Sequence, residues 1–394
     1  SSKNACELFE RIHKIFCRCG NGSHRIPYVK VQNMSEKIRI LYVVNHMVVG
    51  GIENFLMNII RNIDLGKYDI EFLYCDGKDT YYDEEIRNYG IKITGITSRS
   101  RNLFKHLSEL KHFFSRNKFD VVHINYSNAT CFTAARAAKK AGVKKIIVHS
   151  HSSNASNPVV HKLCKPLLCH YANMFFACSQ LAADWMFTRN VAKSKVHIIR
   201  NAVNTKEFLF SEDKRTTVRN EFDIGDRFVI GHIGRMTDTK NHKFLLNVFN
   251  EYHKNDPNSI LLLVGDGELR DEIKRQAQKL EISDSVIFTG IRDDVPELLC
   301  AMDCFVMPSY YEGLPVTLVE AQAAGVRTFV SDTITHEVDL TDLISYVSLE
   351  LQDKEWAMRL NGNVHERAHY NSIIADSGFD MRNELTIIER LYSL

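Results

Sequence analysis

The sequence predicts an α/β protein made of two consecutive domains, each a parallel sheet layered with crossover helices. Three observations lead there. The 394 residues exceed what a single hydrophobic core usually organises. From Ile38 onward, short β-branched runs alternate with longer amphipathic ones, the pattern of strand–helix–strand units. Glycine-bearing turns also follow strand candidates in both halves, where backbone must come close to a neighbour or a ligand.

The first strand candidate is Ile38–Val44, preceded by Met34-Ser35-Glu36-Lys37. Residues 1–33 are set apart as an extension and left out of the fold reading. Further strands are expected at 69–75, 91–96, 120–124, 145–149, 174–178 and 196–199, completing a first domain over 34–205. The polar run Ser211–Thr217 lies within a linker region, 206–226, and reads as linker or connecting helix. A second series at 228–233, 260–264, 286–289, 304–307 and 327–330 builds a domain over 227–379. Residues 380–394 form a terminal helix.

Composition narrows the class. Hydrophobic content of 44% and seven prolines fit an ordinary globular protein. No apolar run approaches the ~20 residues a membrane span needs, and charges interrupt the apolar N-terminus, so no secretory signal is read. The ten cysteines are scattered and read as reduced core residues of a cytosolic protein. Cys17-Arg18-Cys19 lacks a second pair, which argues against zinc. Net charge is only +2, yet residues 34–210 carry 25 Lys/Arg against 14 Asp/Glu, and residues 211–394 carry 19 against 32. The basic half therefore faces an anionic partner: membrane surface, lipid phosphate or nucleic acid. No nucleic-acid-binding motif accompanies that charge. The segment Arg99–Lys118 is basic and aligns Leu103, Phe104, Leu107, Leu110, Phe113 and Phe114 on one helical face. Membrane contact and burial against the sheet are evenly matched for it, and the regional charge tilts toward the membrane.

The chemistry concentrates in a few turns. Glu312 and Glu320 flank Gly313-Leu314-Pro315-Val316, between the strand Cys304–Met307 and a helix. Glu312 falls on a loop at a strand's carboxyl end, where open α/β sheets bind ligands, and amides near Gly313 and Val316 suit an anion. Two acceptors around an anion-binding turn suit a molecule with hydroxyls at both ends and a diphosphate between. Gly50-Gly51 sits between the first strand and the next helix, as a ligand-approach loop or a plain turn. Gly234-Arg235-Met236-Thr237-Asp238-Thr239-Lys240 supplies two cations, one forked and one compact; in isolation they would be surface charges. Gly265-Asp266-Gly267 is a turn, and Thr289-Gly290-Ile291-Arg292 ends a later strand. His149 and His151 point the same way from a strand end; a metal half-site there lacks a convincing third ligand. No D-x-D triplet occurs.

Together these elements resemble the retaining glycosyltransferases of family 4, through E-x7-E at Glu312/Glu320, G-R-x4-K at Gly234–Lys240, the glycine turns and the Asn201-Ala202-Val203-Asn204 exit turn. Within that family the chain is similar to bacterial capsular and exopolysaccharide enzymes, over roughly residues 37–394. The resemblance implies the GT-B fold: two Rossmann-like domains across a cleft, with the C-terminal helix packing back on the first. It implies retaining transfer from a nucleoside-diphosphate sugar, UDP by family weight, to a glycan or lipid-linked acceptor in surface polysaccharide synthesis. Glu320 would hold ribose, Glu312 the sugar, Arg235 and Lys240 the diphosphate with backbone help at Gly313, Leu314 and Val316, while Ile291 and Arg292 meet the base. Gly50 and Gly51 lie at the cleft, and His151, with His149 as runner-up, touches the sugar. No metal or other cofactor is expected. A sugar-nucleotide epimerase and a catalytically idle GT-B subunit are the rivals. Arg327 and Asn241 depart from the family pattern, standing where proline and glycine are common.

Overall fold

The computed structural model describes residues 37–48, 50–76, 80–152, 157–362 and 367–393, and the extension at 1–33 lies outside them. A seven-stranded sheet comes first: β1 (Ile38–Val44), β2 (Tyr68–Tyr74), β3 (Lys92–Gly95), β4 (Val121–Tyr126), β5 (Lys145–Ser150), β6 (Met174–Ala177) and β7 (Val196–Ile198). A six-stranded sheet follows: β8 (Phe228–Ile233), β9 (Ser259–Val264), β10 (Val286–Gly290), β11 (Cys304–Met307), β12 (Arg327–Ser331) and β13 (Ile344–Val347). Their spatial orders are 3-2-1-4-5-6-7 and 10-9-8-11-12-13, and the strands pair in parallel throughout. The edge strand β13 was not anticipated; its four residues are too short to show a period.

Parallel strands with helices on both faces must be apolar on both sides, and β1 shows how alternation delivers this. Leu41 and Val43 join one buried cluster, while Ile40, Tyr42 and Val44 join the other. In the second domain Phe305 and Met307 face one cluster and Cys304 and Val306 the opposite one. Order reverses between β1 and β4 in the first sheet and between β8 and β11 in the second. These are the places where loops leave in opposite directions and open a crevice.

The loops at the carboxyl edges of the two sheets approach each other. The Tyr81 phenol, after β2, is within electrostatic reach of Asp293, after β10, and the Cys178 thiol, after β6, is within reach of Glu337, after β12. The terminal helix Met381–Ser393 buries Met381, Leu385, Ile388, Leu391 and Tyr392 in the first domain's core. Its Tyr392 hydroxyl meets Tyr42 at 3.0 Å and His123 Nδ1 at 2.6 Å. His123 is thus a core residue held through Nδ1, while its Nε2 is buried without a hydrogen bond. The helix Leu103–Arg116 mostly follows the burial alternative: His106, Leu110, Phe113 and Phe114 are buried, while Leu103 and Phe104 stay exposed.

The region expected as linker contains a helix, Glu212–Glu221, that docks on the second domain. Phe208, Val218 and Ile224 enter that domain's core. Arg215 and Arg219 both reach the Asp303 carboxylate, at 2.6 and 2.7 Å, and the Val229 amide donates to it at 2.7 Å. One carboxylate thus ties the helix to the start of β8 and β11. Removing it takes the carboxylate from two partly buried guanidinium groups, leaving Arg219 to backbone carbonyls and Arg215 to carbonyls and Glu212 at 4.0 Å, and taking one partner from such a cluster is costly. Asp303→Ala should lower stability by about 3–5 kcal/mol, read as a fall in the urea midpoint with an unchanged slope.

Candidate active site

The second domain's crevice is built by the loops leaving β8 and β11. The first runs into a single 3₁₀ turn, Asp238–Lys240, which ends on Asn241 in the left-handed conformation (φ 56°, ψ 42°). Asparagine tolerates that region better than most residues, which explains how it replaces glycine here; its side-chain amide also donates to the Pro308 carbonyl at 3.1 Å. The Tyr310 amide donates to the Thr239 carbonyl at 2.9 Å. The two loops are therefore stitched together, and Lys240 Nζ meets Glu312 Oε1 at 2.7 Å, with both side chains largely sheltered. Arg235 stands differently: its guanidinium is 67% exposed, and its contact with Glu268 is 3.4 Å. Such a pair holds weakly, so the group can swing to an incoming anion.

The helix Val316–Ala323 begins on Pro315 as N-cap, with no side chain capping it. Gly313 and Leu314 form the turn before it, and the first-turn amides around Val316 offer an anion site. Glu320 lies further along this helix. Burial pushes its carboxyl up to about 7, and among the described residues no side chain pairs with it. The glycine turn after β9 is structural. The Gly265 amide donates to Gly290 O at 2.8 Å, and a Cβ on Gly265 or Gly267 would sit 2.3 or 2.5 Å from a carbonyl oxygen, of Gly234 or Met236. Ile291 is exposed. The Arg292 guanidinium is committed to Glu221 and Asp294, with contacts of 2.6 Å to each, so any base contact from this residue falls to its main chain.

The first domain contributes a cavity of ≈ 360 Å³ at the β1/β4 reversal, lined by Asn45, His46, Gly51, Glu53, Asn125 and His151 among others. Gly50 is extended and caps the helix Gly51–Asn62. A Cβ there would meet Glu53 Oε2 at 2.6 Å, whereas nothing lies within 4 Å of one at Gly51. Gly50 thus makes room for the Glu53 carboxylate, which burial raises to about 7. His151 Nε2 lies 2.9 Å from Asn125 Oδ1, and Nδ1 lies 3.4 Å from Asn201 Oδ1. Asn125 also donates to the His123 carbonyl at 3.2 Å, which turns its oxygen toward His151 and implies a proton on Nε2. Burial depresses this imidazole to about 3, so it is neutral at physiological pH.

His149 points the same way as His151, their rings 3.9 Å apart, but it is fully buried between His151 and His123. It does not line the cavity, because the residue nearer the strand end takes that place. Glu53, Asn45, Asn125 and Asn201 were not anticipated. Glu53 lies two residues past the glycine pair, and Asn125 shares a face of β4 with His123, so both carried a positional signal. Among the described residues no three His, Cys, Asp or Glu side chains converge to hold a metal ion, and no helix is long and apolar enough to cross a membrane.

Two family models match the sequence: "Glycosyltransferase Family 4" over residues 49–207 and "Glycosyl transferases group 1" over 214–341. The Bacillus subtilis (strain 168) protein named "Putative glycosyltransferase EpsF" is 30% identical over 379 residues, covering 92% of this chain and 98% of its own length. An Escherichia coli UDP-Gal:alpha-D-GlcNAc-diphosphoundecaprenol alpha-1,3-galactosyltransferase is 24% identical, covering 77% of this chain and 81% of its own. Among solved structures, Anabaena HepE in complex with UDP-glucose superposes with a TM-score of 0.72 at 18% identity, over 91% of this chain and all of that one. WaaG, a glycosyltransferase involved in lipopolysaccharide biosynthesis, superposes at 0.62 with 13% identity, over 90% and 97%.

The raised carboxyl of Glu320 has a consequence for stability. Its ordinary value is 4.5 and its folded value about 7, so the unfolded chain ionises first. The stability this group contributes is complete below about pH 4.5, falls as pH rises, and is gone above about 7. Glu320→Gln removes that loss. A pH series of melting temperatures on unliganded protein should show the variant gaining on the parent between pH 5 and 8, by up to about 3 kcal/mol.

Proposed function

Since the chain belongs to the glycosyltransferases of group 1 and family 4 and has the GT-B fold, we propose that it moves a hexose-type sugar from UDP to a hydroxyl of a lipid-linked glycan in surface polysaccharide synthesis, with retention and without a metal. The observation that carries this reading is the meeting of Lys240 and Glu312 at the β8/β11 reversal, with the largely exposed Arg235, paired loosely with Glu268, on the loop after β8 and Glu320 on the helix that follows Glu312. A diphosphate takes Lys240, Arg235 and the amides near Val316. Sugar hydroxyls take Glu312, and the ribose hydroxyls take Glu320. The two relatives described with UDP or UDP-sugar support the choice of base.

In the transfer, the acceptor oxygen bonds to the anomeric carbon as the bond from that carbon to the β-phosphate oxygen breaks. The acceptor proton passes to the departing phosphate on the same face. Charge builds on the diphosphate as it leaves, so cations fixed beside it stabilise the transition state more than the ground state. Neutral His151 contributes a hydrogen bond near the sugar without repelling those cations.

Two measurements test the reading. In a thermal-shift panel of UDP, GDP, ADP and their sugars, a UDP conjugate should raise the melting temperature selectively, with and without EDTA. A shift abolished by EDTA would remove metal independence, and a guanosine preference would remove UDP. With the donor known, Arg235→Ala should lower kcat about 10²–10³-fold with little change in KM. Glu320→Ala should instead raise the donor KM.

A further inference from the structure

Four side chains hold the His151 imidazole, and one of them decides what it can offer a ligand. The His149 ring lies 3.9 Å from it, and the Phe55 ring, from the helix Gly51–Asn62, packs 5.2 Å away at 56°. These two restrict the tilt of the imidazole. At its edge each ring nitrogen meets an asparagine: Nε2 lies 2.9 Å from Asn125 Oδ1, and Nδ1 lies 3.4 Å from Asn201 Oδ1. Both asparagines are themselves buried.

A neutral imidazole carries one N–H, so the two amide oxygens compete for it. The contact at 2.9 Å has the length of an N–H···O hydrogen bond, and the contact at 3.4 Å exceeds it. The Asn125 amide is also fixed in direction. Its nitrogen donates to the His123 carbonyl at 3.2 Å, and turning it around would set two oxygens against each other. Strand register supplies the placement: Asn125 stands opposite His149 across β4 and β5, and His151 follows His149 on the same side. Asn125 therefore holds the proton on Nε2, and Nδ1 keeps its lone pair.

We propose that Asn125 is a positioning residue for the transfer: it leaves His151 Nδ1 as a hydrogen-bond acceptor, so the group His151 takes from the donor sugar is a hydroxyl. This rests on the transferase reading above and gives one of its contacts a direction. A sugar with a hydroxyl at that place is matched. One with a carboxylate there sets acceptor against acceptor, and a deoxy sugar leaves the lone pair unpaired. An imidazolium would reverse the match, because both of its nitrogens donate. The titratable groups around the ring are His149 and His123, both pushed far down by burial, with Glu53 and His46 in the same cavity.

The test uses the full chain. Nitrogen-15 spectra of histidine-labelled protein, with His151 identified by its loss in His151→Gln, report which nitrogen bears the proton. The parent should carry it on Nε2, and saturating UDP-glucose or UDP-galactose should shift Nδ1 as an accepted hydrogen bond does. Asn125→Leu should mix the two tautomers and lower kcat at least about tenfold, with the melting temperature checking that the fold survives. Asn125→Asp restores an acceptor but favours the imidazolium. It should recover activity over Asn125→Leu at alkaline pH and lose it on acidification. Taking each rate relative to the parent at the same pH cancels the titration of Glu53, Glu320 and His46. A proton on Nδ1 in the parent would overturn the proposal, as would full turnover by Asn125→Leu at every pH. UDP-sugars that neither shift His151 nor are turned over remove the transferase reading and the role of Nδ1 with it. Turnover that ignores Asn125, with the proton on Nε2, removes this inference alone.

Discussion

The ligand chemistry of this protein depends on two reversals of strand order. A parallel sheet sends each connection over one face or the other, and only where the direction changes do adjacent loops part. At β8 and β11 the parted loops carry Arg235, Lys240 and Glu312; at β1 and β4 the reversal brings together Gly50 on the loop, Glu53 in the first turn of the next helix and Asn125 near the end of β4. Because the carboxyl edges of the two sheets approach each other, the two crevices open into one cleft. The residues that look scattered through the sequence are gathered by topology before any side chain makes a contact.

Within that cleft the unliganded protein keeps its charges low. Lys240 and Glu312 neutralise each other, and burial raises the carboxyls of Glu53 and Glu320 to about 7. His151 is neutral, and His242, beside Lys240, is pushed down to about 4 by burial and then by that lysine. In the proposed transfer, the Lys240 ammonium would exchange a carboxylate for a phosphate, and Glu312 would exchange an ammonium for sugar hydroxyls. Each group would leave one partner as it gained another, so no sheltered charge would be stranded.

What the sequence made legible was local. The strand positions from Ile38 to Val330, the spacing of Glu312 and Glu320, and the cations of Gly234–Lys240 all depend on neighbours a few residues away. Long-range partners were not legible. Nothing near Arg292 signals that Glu221, 71 positions distant, will hold it, and nothing in β5 says that His149 will be sealed beneath His151. Glycines were ambiguous for the same reason. Gly50 accommodates a side chain three residues on, while Gly265 accommodates the backbone of Gly234, and the letters alone do not distinguish these from glycines that admit a ligand. The basic helix Leu103–Arg116 divided between its two readings, its later apolar residues buried and its first turn exposed, because one amphipathic stripe can run past the edge of the sheet it covers.

The terminal helix joins these levels. By sequence it follows the second domain, and by packing it belongs to the first. The chain therefore crosses between domains twice, and the crossings lie side by side: the Val203 amide donates to Phe379 O at 3.0 Å, and the Met381 amide returns to Val203 O at 2.9 Å. Gly378, with φ 83°, turns the chain just before the second crossing, in a region glycine enters readily. The Thr205 hydroxyl and the Asp380 carboxylate join the same two segments beside that bridge. Beyond the crossing, Tyr392 anchors the helix through Tyr42 and His123, and His123 stacks beneath His149 and thus beneath His151. The element that closes the fold is therefore continuous, through buried rings, with the histidine that faces the cavity.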